Sequence, residues 1–266
     1  MEAREDMRCA IVTGGGRGIG RASAEALAAA GIAVAVVART GDQVAETAAG
    51  IERRGGLALP VTADLSRPGA AEEVAAAARE CFGGACDILV NAAGIAGPVA
   101  ELSDVGVADW QRVIDINLTA PFAMCRAVVP GMRSAGWGRV VNISSGYARR
   151  VQPGVGPYSA SKAGLAHLSR VMDAECRHDG VRVFALEPGV VRTEMNSELR
   201  AQGHTRAGAR VAEALRDIET GPGLVSAAES ARLICLAATG EADDLAGEAV
   251  SIYEPAVRAR SAVATH

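Results

Sequence analysis

Short apolar runs alternate with longer helical ones along almost the whole chain, and few folds accommodate that rhythm. Residues 9–12, 32–38, 57–61, 87–90, 139–143, 181–186 and 248–252 read as strands. Between them, 18–30, 41–54, 69–81, 109–133, 158–178 and 226–238 read as helices. A parallel strand is reached only by a crossover, so this alternation implies a parallel sheet covered by helices on both faces. The expected fold is α/β: a single, doubly wound parallel sheet of about seven strands, with no linker dividing residues 1–266. Hydrophobic residues make up 49% of the chain and aromatics only 3%, which suits close packing of Ala, Val and Gly between helix and sheet. Ligands of such folds bind beyond the carboxyl ends of the strands.

The first strand runs straight into Thr13-Gly14-Gly15-Gly16-Arg17-Gly18-Ile19-Gly20 and then a helix. Strand, glycine turn and helix start together make a phosphate site, because glycine permits close backbone approach and the helix offers free N–H groups. Gly14, Arg17, Gly18, Ile19 and Gly20 are therefore candidate cofactor contacts, in a Rossmann-type arrangement. The second strand ends Val36-Val37-Ala38-Arg39, with no acid before Asp42. An acid there suits a ribose 2′-OH, whereas arginine suits a 2′-phosphate. Arg39, with Arg17 as a second positive charge, favours NADP(H) over NAD(H).

Further strand ends supply more candidates. Asp64 and Leu65 either reach the adenine side of the cofactor or, for Asp64, cap the next helix. Asn91-Ala92-Ala93-Gly94 closes the fourth strand with residues small enough for a flat ligand, and Asn91 is placed to tie neighbouring loops. Asn117 and Pro121 lie inside one long helix, and proline denies the Asn117 carbonyl its helical donor. A bound water is the simplest partner for that orphan group. Ser144-Ser145 ends the fifth strand. The sixth ends Glu187-Pro188-Gly189-Val190-Val191-Arg192-Thr193. Tyr158 and Lys162 lie four apart at the start of a helix, after Pro157, and so share a face. An ammonium there is expected to lower the tyrosine pKa from about 10 towards the range of acid/base catalysis. Tyr147, Arg149 and Arg150 read most simply as surface loop residues. Residues 194–223 read as a helical lid on the substrate side, and the tail from Pro255 as mobile.

Composition excludes several classes. A net charge of −4 without long basic runs argues against nucleic-acid binding. The six cysteines form no CxxC pair and no metal-ligand pattern with histidine; most read as small core residues, and Cys81 and Cys86 as a reduced pair. The N-terminus has no apolar leader and no run reads as long enough to span a membrane, so the expectation is a soluble cytoplasmic protein.

Taken together, TGxxxGxG (Thr13, Gly14, Gly18, Gly20), Asn91–Gly94, and YxxxK (Tyr158, Lys162) resemble the short-chain dehydrogenase/reductase family, in its compact branch. The resemblance implies a catalytic asparagine at Asn117. It also implies a serine thirteen residues before the tyrosine, which selects Ser145 over Ser144. It further implies cofactor contacts at Pro188, Gly189, Val191 and Thr193. It implies hydride transfer with a small alcohol or ketone: Tyr158 exchanges the hydroxyl proton and Ser145 steadies the substrate oxygen. Lys162 lowers the tyrosine pKa and holds the nicotinamide ribose, and the Asn117 carbonyl holds a water. Homodimers or homotetramers through the helices of Asp109 and Tyr158 are implied as well, with Ala160, Ala163, Gly164 and Ala166 allowing close approach.

Two departures stand out. Glu187 precedes Pro-Gly where many relatives carry a neutral residue, and the last strand ends Ser251-Ile252-Tyr253-Glu254, which puts the usual C-terminal packing in question. Two rivals remain. A non-catalytic nucleotide sensor on the same fold has no need of Ser145, Tyr158, Lys162 and Asn117 together. An extended-branch epimerase or dehydratase needs glycine where Arg17 stands.

Overall fold

A computed structural model of the chain describes residues 7–202, 205–220 and 223–263. The N-terminal six residues and part of the expected lid (203, 204, 221 and 222) lie outside the described residues. The strands are β1 (Cys9–Thr13), β2 (Ala33–Ala38), β3 (Ala58–Thr62), β4 (Ile88–Asn91), β5 (Gly138–Ile143), β6 (Val181–Glu187), β7 (Val190–Val191), β8 (Leu224–Val225) and β9 (Ala249–Ser251). The helices are α1 (Gly18–Ala29), α2 (Gly41–Arg53), α3 (Ala70–Phe82), α4 (Val107–Ile114), α5 (Ala120–Ala135), α6 (Gly156–Cys176), α7 (Glu194–Ala201), α8 (Arg206–Thr220), α9 (Ala227–Thr239) and α10 (Pro255–Val263).

Seven strands form one parallel sheet in the order β3-β2-β1-β4-β5-β6-β9, while β7 and β8 pair separately. The doubly wound sheet is thus the expected one. Strand residues alternate between its faces. Ala10, Val12, Val34 and Val36 pack with Leu27, Ile51, Leu233 and Ile234 of α1, α2 and α9. Cys9, Ile11, Ala35 and Val37 pack with Val74, Met124, Val128 and Met132 of α3 and α5. Pro60 is tolerated because β3 is an edge strand. The chain moves outward from β1 to β3, then returns to place β4 on the other side of β1. Thr13 sits opposite Asn91 at that reversal, so the glycine turn and the Asn91–Gly94 segment open side by side.

Three expectations need correction. The helix expected over 109–133 is α4 and α5 joined by a π turn, Asp115–Thr119. By length and composition alone the helical stretch Val107–Ala135 could cross a membrane, with a mean hydropathy of 1.3 over an 18-residue window, contrary to the sequence reading. Its apolar face covers the sheet instead, with Met124, Cys125, Val128 and Met132 buried. The expected mobile tail is α10: Pro255 opens it, and Val257 and Ser261 are buried against the α9 side.

Candidate active site

A groove of about 530 Å³ opens beyond the carboxyl ends of the central strands. It is lined by Gly14, Arg17, Gly18, Ile19, Gly20, Arg39, Asp64, Leu65, Ala92 and Gly94 at one end. Ser145, Tyr158, Lys162, Pro188, Gly189, Val191 and Thr193 line the rest. Two anticipated residues, Asn91 and Asn117, stand behind the wall rather than in it.

The glycine turn is held by backbone proximity. Gly14 has φ +67°, and a Cβ there would lie 2.8 Å from the Ala93 nitrogen. A Cβ on Gly20 would run into the Gly14 carbonyl, closer than real Cβ atoms come. Both positions need glycine if α1 is to start directly against the turn. Arg17, extended, precedes α1 and offers no side-chain cap, so the open helix end is available to an anion. The Arg17 side chain pairs with Glu194 of α7, across the groove. Asp64 does not cap α3, whose N-cap is Gly69. Its carboxylate instead accepts the Ser66 amide at 3.0 Å and hydroxyl at 2.7 Å. Those two bonds, and then the charge of Arg39, hold the Asp64 carboxyl below its usual range.

Tyr158 and Lys162 project from the first turns of α6. The Lys162 ammonium is buried, donates to the Ile143 carbonyl at 2.8 Å, and lies 5.7 Å from the centre of the Tyr158 ring. Burial pulls its pKa down to about 8, which leaves it mostly charged at neutral pH. Burial likewise pushes the Tyr158 phenol up to about 12, against a smaller opposing pull from its hydrogen bond with Ser145. The expected lowering by Lys162 is therefore not borne out, since the phenol is shifted up rather than down. Desolvation sets the direction, and the ammonium is committed to the Ile143 carbonyl. Ser145 Oγ accepts from the Tyr147 amide at 3.2 Å. The Ser144 hydroxyl turns away, towards the Lys162 carbonyl at 3.4 Å.

Asn117 is fully buried in the π turn. Its side chain accepts the Ile95 amide at 2.9 Å and donates to the Ile95 carbonyl at 2.9 Å and to Ser161 Oγ at 3.1 Å. It thereby clamps the segment after Gly94 to α6. The Ala120 amide bonds back five residues, to Asp115. In that register the next carbonyl denied a donor by Pro121 is that of Ile116, and in ordinary α register it is that of Asn117. Asn91 donates to Asn142 Oδ1 at 2.8 Å, and Asn142 donates to Ser169 Oγ at 2.9 Å, tying β4, β5 and α6.

Three side chains take a larger part in the site than their local sequence suggests. Tyr147 and Arg150 line the groove, although 57% of the Arg150 side chain stays exposed to solvent. The Tyr147 ring meets Tyr158 edge-on, with centres 6.3 Å apart. Tyr253, from the unusual C-terminal ending, accepts the Val190 amide at 2.7 Å and donates to the Gly223 carbonyl at 2.6 Å. It thus fixes the Pro188–Thr193 strand end, and Glu187 stands opposite Ser251 in the sheet. No local pattern signals the Tyr253 contacts, which span 63 and 30 residues. Above Tyr158, Leu199 of α7 and Val211 of α8 join Ala96, Val99 and Val155 in an apolar cluster.

Comparison with known proteins agrees with this geometry. The short chain dehydrogenase family model matches residues 8–204. A short chain dehydrogenase of Pseudocercospora fijiensis is 39% identical over 193 residues, 71% of this chain but only 62% of the relative's length. The 2-dehydro-3-deoxy-L-rhamnonate dehydrogenase (NAD(+)) of a Sphingomonas species is 38% identical over 192 residues, 72% of this chain and 75% of that one. A crystal structure from Beutenbergia cavernae, described as an NAD(P) dependent gluconate 5-dehydrogenase with NADP at low occupancy, superposes with a TM-score of 0.81. It is 35% identical and covers 92% of this chain and 94% of its own. By sequence and by fold, this chain belongs to the short-chain dehydrogenase family, enzymes that act as dehydrogenases and reductases on alcohol and carbonyl groups.

Proposed function

We propose that this enzyme is NADP(H)-dependent and that Tyr158 exchanges the hydroxyl proton of a small alcohol or ketone substrate. When bound, the cofactor supplies or accepts the hydride. The observation that carries the reading is the convergence of Ser145, Tyr158 and Lys162 on the groove that begins at the glycine turn. Gly14, Gly18, Ile19 and Gly20 would seat the pyrophosphate at the open end of α1. Asp64 and Leu65 would border the adenine. Ala92, Gly94, Pro188, Gly189, Val191 and Thr193 would wall the nicotinamide end, with Asn91 bracing that wall from behind. Arg39 and Arg17 would take the 2′-phosphate, at the cost of the pairing between Arg17 and Glu194. The relatives are named for both NAD(+) and NADP, so the preference rests on Arg39, which makes no ion pair among the described residues.

Ser145 would donate to the substrate oxygen and stabilise charge developing there. Lys162 would hold the ribose hydroxyls and supply positive charge beside the phenol. Asn117 would keep the Ile95 segment in place, and a carbonyl of its π turn would take a water linking Lys162 to solvent. The helices α7 and α8 would act as a lid, with Leu199 and Val211 helping to exclude water from Tyr158. We further propose a single domain, cytoplasmic, assembled as a homodimer or homotetramer through α4, α5 and α6. The exposed Phe122 and Val171 on those helices support that assembly.

The test is Tyr158→Phe, assayed with NADP(H) and NAD(H) over a panel of alcohols and ketones. Turnover should fall by about 10²- to 10⁴-fold while cofactor binding, read by fluorescence titration, stays unchanged. Undiminished turnover of every accepted substrate would sink the proton-transfer role.

A further inference from the structure

Glu187 is a buried carboxylate that the proton-transfer reading leaves without a task. It closes β6, is 8% exposed, and borders the groove beside Ser145, Tyr147 and Arg150. One of its oxygens accepts from Arg149 at 2.8 Å, and the other lies 3.5 Å from Arg150. The two arginines differ in position. Arg149 borders a separate recess behind Ser144 and Ser145, whereas Arg150 borders the groove itself. Arg149 therefore neutralises Glu187 from outside. Arg150 touches the carboxylate only at the limit of a hydrogen bond, which leaves most of its donors uncommitted.

Two guanidinium groups against one carboxylate leave one positive charge at the substrate end. The Arg150 guanidinium lies 5.9 Å from the centre of the Tyr147 ring, which in turn meets Tyr158 edge-on. Gly146 makes room for it, since a Cβ there would overlap both the Arg150 guanidinium and the Glu187 carboxylate. The cation thus rests over the residue that follows Ser145. The other cations of the groove are placed differently: Lys162 bonds the Ile143 carbonyl, Arg17 pairs with Glu194, Arg39 follows β2, and the exposed Arg192 follows β7.

We propose that Arg150 binds a carboxylate on the substrate, so that the alcohol or ketone is a hydroxy or oxo acid. Glu187 and Tyr147 are positioning residues that hold the guanidinium beside Ser145. The planar fork of a guanidinium matches a carboxylate with two parallel N–H bonds, and the Arg150 side chain, 57% exposed, leaves that fork accessible from the groove. The inference rests on the dehydrogenase reading above and adds the class of substrate to it.

The experiment compares acids with neutral counterparts: 3-hydroxybutyrate and 4-hydroxycyclohexanecarboxylate, each against its methyl ester, in wild type, Arg150→Gln and Arg150→Lys. Wild type should favour each acid in kcat/KM. Arg150→Gln should raise KM for the acids by about 10- to 100-fold and leave the esters and kcat nearly unchanged, with partial rescue by Arg150→Lys. Esters used as well as acids by the wild type, or an equal loss on both in Arg150→Gln, would overturn the inference. Calorimetric titration of cyclohexanecarboxylate against cyclohexanecarboxamide, with NADP⁺ present, reads the same contact without turnover. Binding of the acid alone, lost in Arg150→Gln, upholds the carboxylate site even in a protein that oxidises nothing, which would sink only the dehydrogenase reading. Equal binding of acid and amide, or of neither, overturns the carboxylate site whatever the turnover.

Discussion

The two ends of the groove are built by different means. The cofactor end is shaped by backbone. Gly14 and Gly20 let the turn, α1 and the Ala92–Ala93 backbone approach closer than any side chain allows, and strand register sets the rest. The substrate end is shaped by side chains: Tyr158, Tyr147, Arg150 and Glu187 lean on one another across separate elements. A backbone-built site tolerates little change and serves one ligand class. A side-chain-built site can be respecified one residue at a time, which is how one fold comes to serve many substrates.

The comparison can be broken most severely at the cofactor end. Gly20→Val forces α1 away from the Gly14 carbonyl, and should destabilise the protein by about 3 kcal/mol or more and abolish cofactor binding. Chemical denaturation and fluorescence titration read both. A stable variant that still binds cofactor would show that the turn is not fixed by backbone contact.

A smaller effect of opposite sign is expected at Lys162. Its folded pKa of about 8 lies below the ordinary 10.5, so the unfolded chain holds that proton more tightly. The resulting cost to stability is complete below about pH 8 and fades as pH rises towards about 10.5. Lys162→Met should therefore stabilise the cofactor-free protein by about 2 kcal/mol at pH 7, after loss of the Ile143 bond, while turnover collapses. The gap in melting temperature should narrow above pH 9. A Lys162→Met protein less stable than wild type at pH 7 would mean that the lysine serves structure before chemistry.

The smallest effect concerns cofactor choice. Arg39→Gln should lower kcat/KM for NADP(H) by about 10-fold or more and leave NAD(H) nearly unchanged. An enzyme that prefers NAD(H) from the outset would remove the role given to Arg39.

The same contrast governs what the sequence could disclose. The parallel sheet was legible because strand–helix alternation leaves one topology, and the glycine turn was legible because glycine spacing is a local property. Tyr158 and Lys162 share a helix face, so their pairing was legible too. The pairing of Glu187 with Arg149 and Arg150 joins residues 37 and 38 positions apart, and that of Arg17 with Glu194 spans 177. Periodicity carries no information about such contacts. The π turn escaped notice because its register change leaves the apolar pattern almost intact. The direction of the Tyr158 shift was misjudged for a related reason: spacing showed a nearby ammonium but not the depth of burial around both groups.

The central claim is that this half-buried phenol becomes a proton-transfer group in the loaded site, and its own titration tests that most directly. The chain has three tyrosines, so carbon-13 labelling of the phenol carbons with Tyr158→Phe as the blank identifies the signal by NMR. In the cofactor-free protein, where burial sets the pKa at about 12, the Tyr158 phenol should still be protonated at pH 10. With NADP⁺ bound, the added positive charge should bring phenolate well below pH 10. A phenol that remains protonated at pH 10 in the NADP⁺ complex of an active enzyme would contradict the account.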